Sequence, residues 1–120
     1  MTDTIQATLS ASILTTDLGA SRPKSTAITP HLVEADAELW AGKGSGAEVG
    51  IWECSPGSFT ARRDGYTEIC HIVAGRFALE TPGTDVLEVG PGDTIVMPSG
   101  WHGIWHVHEA VRKLYIIVND

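Results

Sequence analysis

The chain is short of basic charge and of cysteine, and it has no long apolar run. Eight Lys and Arg stand against fifteen Asp and Glu, giving a formal charge of −7 and a pI near 5.0. Charge of that sign repels phosphate backbones and anionic headgroups at long range, which argues against a nucleic-acid or membrane-surface partner. No apolar stretch approaches the ~20 residues of a bilayer-spanning helix. The two cysteines, Cys54 and Cys70, are too few for a disulfide framework and lack the C-x-x-C spacing of a zinc ribbon. Met1-Thr2-Asp3-Thr4 opens with an acid and no basic region, so a secretory signal is not expected. The expected setting is therefore reducing and cytoplasmic. There is also no Gly-x-Ser-x-Gly elbow, Walker loop or Rossmann fingerprint. Gly42-Lys43-Gly44-Ser45-Gly46 sets a lysine among glycines without Walker spacing and reads as a turn.

What is present is one domain's worth of chain: 120 residues, 42% hydrophobic, enough to bury a core. Its first forty residues hold one glycine, Gly19, and the other twelve lie between Gly42 and Gly103. Residues 1–38 read as an N-terminal arm or edge-strand segment, with a short helical turn expected near Pro30–Ala35. Residues 39–120 are a succession of β-branched and aromatic runs. Ser55-Pro56-Gly57, Asp64-Gly65, Gly75, Pro82-Gly83, Gly90-Pro91-Gly92 and Pro98-Ser99-Gly100 punctuate them. Turn signals every 6–12 residues between such runs indicate an all-β sandwich or barrel.

Two segments carry a family resemblance. Gly57, Glu68 and Gly75 match the first signature motif of the cupins, and Gly92, Pro98 and Gly100 match the second. Trp52-Glu53, Glu68–Ile72, Trp105 and Val111–Tyr115 further resemble the small single-domain cupins of the Cupin_3 family. Those are similar to the cupins of ethanolamine utilisation and of ureidoglycine aminohydrolase. The resemblance spans roughly Leu39 to Val118 and implies a single cupin jelly-roll β-barrel. It implies much less about chemistry, because one fold hosts many functions.

The sequence departs from the metal-binding members of that superfamily. Where they place three histidines, this chain has Arg63, Gly65 and Gly103, and only Glu68 remains. A guanidinium stays protonated and is no metal ligand, and one carboxylate does not hold a transition metal. No cofactor is therefore expected, and a divalent metal is disfavoured. Strand parity sends His71, His102, His106 and His108 to the outer face, with a bulge near Gly100–Gly103 as the one device that would re-aim His102.

Parity also defines an inner set: Trp52, Cys54, Arg63, Glu68, Cys70 and Trp105, with Tyr66 at the strand entrance. Arg112 and Lys113 have opposite parity, so one should face inward, Lys113 being a second partner for Glu68 beside Arg63. The expected function is binding of a small polar metabolite or organic acid in the barrel of a homodimer. Two other readings stay open. One is a hydrolase, isomerase or lyase with Glu68 as acid or base; the other is a structural or regulatory subunit with a vestigial pocket.

Overall fold

The structure is a computed structural model that describes residues 4–120. Among them there are eight strands and no helix long and apolar enough to cross a membrane. The strands are β1 (Arg22–Pro23), β2 (Val33–Ala41), β3 (Ala47–Cys54), β4 (Gly57–Arg62), β5 (Tyr66–Glu80), β6 (Leu87–Val89), β7 (Thr94–Met97) and β8 (His102–Asn119). All pairings are antiparallel, in the order β1-β2-β3-β8-β5-β6, with β4 on β8 and β7 on β5.

The two long strands make the barrel. The C-terminal half of β8 lies between β3 and the start of β5, and its N-terminal half lies between β4 and the end of β5. Each long strand thus passes from one layer of a jelly roll to the other. Sequence punctuation predicts a break at Gly75, but β5 continues through it with register irregularities between Ile72 and Phe77. Gly75 has φ +82°, and a Cβ there would collide with the Ala110 carbonyl of β8. The glycine marks a bend where two backbones cross, not a loop.

The expected helical turn near Pro30–Ala35 is not formed; β2 begins at Val33 instead. Its residues alternate: Glu34, Asp36 and Glu38 share one face, Ala35 and Ala37 the other. That period of two suits a strand and no helix. The sheet takes up the chain at Arg22, ahead of residue 39, because β1 pairs with β2.

The core joins both layers around four aromatic rings. Phe77 stacks on Trp105 at 4.0 Å between centroids, Phe59 stacks on its other flank at 5.6 Å, and Trp52 meets it edge-on at 5.6 Å. Ile72, Leu79, Met97, Val107 and Val111 fill the space around them. Burying one such side chain contributes about 1.5–3 kcal/mol.

Part of the N-terminal segment is tied down by one side chain. Arg112 Nη1 donates to the carbonyls of Ile13 and Thr16, both at 2.9 Å, and Nη2 lies 3.2 Å from Glu53 Oε2. Farther out, Ile5 is 96% exposed and Leu9 88%.

Candidate functional site

The inner faces of β3, β5 and β8 converge on Glu68. Alternation along β5 buries Glu68, Cys70 and Ile72 and leaves His71 exposed. On β8, Lys113 faces inward and its Nζ lies 2.6 Å from Glu68 Oε2. Arg63 comes from the loop after β4, where its backbone pairs with the loop before β8: Arg63 N donates to Trp101 O and Gly100 N to Arg63 O. Its Nε stands 3.0 Å from Glu68 Oε1, an ion pair whose N–H is not aimed at that oxygen and finds no hydrogen-bond acceptor. Cys70 Sγ donates to Glu68 Oε2 at 3.0 Å.

Burial alone would raise the Glu68 carboxyl, but Lys113 and Arg63 outweigh it and hold the group down at about 2. Burial likewise opposes the charge on Lys113, and the Glu68 carboxylate in contact with it helps to hold the ammonium charged. Burial pushes the Cys70 thiol up to about 12 and that of Cys54 to about 11, so both are neutral thiols at physiological pH. Glu68 is therefore an ionised anchor for two cations, an arrangement poorly suited to exchanging protons near neutrality.

Above this cluster lies a cavity of about 520 Å³. Trp52, Arg63, Tyr66, Glu68 and Lys113 line it. Trp52 is both wall and core, its Nε1 donating to Glu34 Oε1 at 2.8 Å. The Tyr66 hydroxyl donates to the Arg62 carbonyl at 3.3 Å. Cys70 sits behind Glu68. Trp105 lies under Lys113, whose Nζ is 4.7 Å from the ring centroid, and its own Nε1 is buried without a partner. Cys54 bonds the Ser55 carbonyl at the far end of β3 and does not reach the cavity wall. Parity assigns a face; it does not assign depth along the barrel.

Several cavity residues escaped the sequence reading. Lys24 pairs with Glu34 at 3.0 Å and stands 4.5 Å over the Phe59 ring, and Arg22 pairs with Asp36 at 2.6 Å. They come from a stretch without periodicity, so nothing local marks them. Glu48 and Tyr115 share the inward parity of Trp52 and Lys113 and were within reach of the same rule. Tyr115 lies across Gly50, where a Cβ would collide with its hydroxyl. Burial first, then Asp36, Glu48 and Glu38, push that hydroxyl up to about 12.

The histidines lie on the outer face. His71 meets Thr94, His106 bridges Ser58 and Glu80, and His108 approaches Glu88. No bulge re-aims His102, which stays in register with Arg62. Among the described residues no three His, Cys, Asp or Glu side chains converge as a ligand set. Glu68 has a cation against each of its carboxylate oxygens, Arg63 at Oε1 and Lys113 at Oε2. That chemistry does not fit a resident divalent metal.

A two-layered antiparallel jelly roll with its polar cluster inside the barrel is the architecture of a cupin. The model of the EutQ-like cupin domain, Cupin_3, matches residues 41–115, and the chain belongs to that family. Solved structures agree on the fold. A protein with unknown function of the DUF861 family from Pseudomonas syringae pv. tomato is similar at TM-score 0.71 and 24% identity, over 83% of this chain. This chain spans only 43% of that protein's length. The EutQ protein of Clostridium difficile is similar at TM-score 0.65 and 20% identity, over 79% of this chain and 77% of its own. Ectoine synthase from P. lautus reaches 0.66 at 13% identity, over 82% and 68%. No curated protein matches the chain.

Proposed function

We propose that the barrel binds a small polar metabolite or organic acid, holding an anionic group of the ligand against Arg63 and Lys113. The observation that carries this reading is a charge imbalance. Two buried cations share one buried carboxylate, and the Arg63 Nε–H has no acceptor. A buried surplus charge is costly unless something pairs with it, and a ligand carboxylate is suited to do so. Trp52 offers an apolar wall to the rest of the molecule. An enzyme working here would need its acid or base elsewhere than in Glu68, whose carboxyl is held ionised.

The test is a thermal-shift series with acetate, propionate and succinate against uncharged glycerol. The organic acids should raise Tm, and Arg63→Gln should abolish the response. Glycerol acting as well as the acids would overturn the reading.

The same reading includes a cytoplasmic homodimer. Two buried free thiols suit a reducing compartment. Exposed Ile5 and Leu9 on the arm are a surface for a second copy of the chain. Light scattering should give a dimer for the full chain and a weaker one after removal of residues 1–11. A full-length monomer at micromolar concentration would refute it.

A further inference from the structure

The cavity has two ends of opposite charge. At one, Arg63 and Lys113 exceed Glu68 by one positive charge. At the other, Asp36 and Glu48 line the cavity with Tyr115, and Glu38 pairs with Gly50, over which the Tyr115 hydroxyl lies. Arg22, paired to Asp36, is the one cation bonded to those acids among the described residues. Glu48 lines the cavity, is half-buried, and makes no ion pair or side-chain hydrogen bond among the described residues. The remaining cavity cations are balanced: Lys24 by Glu34 and Arg62 by Asp64.

Strand register sets the span between the ends. Glu48 on β3 and Glu68 on β5 both pair with Ile117 on β8, on opposite sides of it. Two inter-strand spacings place their Cα atoms roughly 10 Å apart. Both side chains stand on the inward face of that sheet and line the same cavity, so the separation leaves room for a ligand a few carbons long. From the surplus cation at Arg63 and Lys113 and the unpaired carboxylate of Glu48, we infer that the ligand is a short zwitterion. Its carboxylate meets Arg63 and Lys113, and its ammonium meets Glu48 beside the Tyr115 hydroxyl.

Both partners of the ammonium follow from ordinary chemistry. An ammonium has three donors and no acceptor, and Glu48 and the Tyr115 oxygen are acceptors. A charge-assisted hydrogen bond to Glu48 would favour the amino form of an acid over its alkyl counterpart. Gly50 keeps this end open, because it lets the Tyr115 ring lie flat across β3. Arg22 and Asp36, at this end, lie outside the family-matched residues 41–115.

The inference rests on the anion-binding reading, and the experiment separates the two. Calorimetric titration at about neutral pH would compare propionate, butyrate and hexanoate with β-alanine, 4-aminobutyrate and 6-aminohexanoate, and with butylamine. At the best-fitting chain length the amino acid should bind about tenfold tighter than its alkyl acid. Glu48→Gln should bring the two within about twofold, and Glu48→Lys should reverse the order. Glu48 is half-buried and unpaired, so circular-dichroism melts should show both variants folded. Alkyl and amino acids binding alike to the parent would overturn the zwitterion and leave the anion site standing. A preference that survives Glu48→Gln would overturn the assignment to Glu48. Butylamine binding tightest, or no probe binding, would overturn both readings.

Discussion

Lys113 Nζ lies 2.6 Å from Glu68 Oε2 in the barrel interior, with both residues under 10% exposed. Their side chains span from β8 to the adjacent β5, and Arg63 closes on the opposite oxygen. One carboxylate therefore organises the polar floor of the cavity.

Removing that carboxylate's charge leaves Lys113 and Arg63 buried without an anion. Glu68→Gln should destabilise the barrel by about 3–5 kcal/mol in a denaturant melt. The double variant Glu68→Leu, Lys113→Met removes both members of the closest pair and should cost less than the sum of the single changes. A Glu68→Gln protein that melts with the parent would show that the cluster does not support the fold.

The same cluster sets an acid limit. Glu68 has an ordinary value of 4.5 and is held at about 2 in the fold. Between those values the unfolded chain binds the proton that the native chain refuses, so falling pH favours unfolding. The stability at stake, on the order of 3 kcal/mol, is fully present above about pH 4.5 and is lost as pH falls toward about 2. Glu34, held below its ordinary value as Trp52 and Lys24 outweigh its burial, adds in the same direction. Melts from about pH 6 to 2 should fall along this course in the parent and fall less in Glu68→Gln. Parallel curves would contradict it.

Chelation should not matter. Both oxygens of Glu68 already face cations and no three His, Cys, Asp or Glu side chains converge among the described residues, so EDTA should leave Tm unchanged to about 1 °C. A fall of several degrees, restored by one cation, would show a metal held somewhere in the native state.

Arg112 should behave as a clasp on the N-terminal segment. Arg112→Ala removes its bonds to Ile13, Thr16 and Glu53 and should cost about 2–4 kcal/mol. Limited proteolysis within residues 12–20 should quicken accordingly. Unchanged cleavage there would mean that other contacts hold the segment.

The sequence by itself determined the fold class and the faces of the strands. Turn residues between apolar runs mark the strands, and alternation separates Glu68 and Trp105 inside from His71 and His106 outside. This works because a strand's side-chain period is built into its backbone. Two misreadings had local causes: Gly75 looks like a break but sits where bent strands cross, and Pro30 ahead of Leu32–Ala35 looks like a helix start although Glu34, Asp36 and Glu38 alternate as in a strand. Only the tertiary structure decided which inward residues share a cavity. It set Cys54 apart, put Trp105 beneath Lys113, and brought Arg22, Lys24 and Asp36 beside residues far along the chain. It also decided that Arg112 and Lys113 are both buried, one under the N-terminal segment and one against Glu68. Such juxtapositions depend on how layers curve and which loops cover them, long-range packing that no local pattern in the chain encodes.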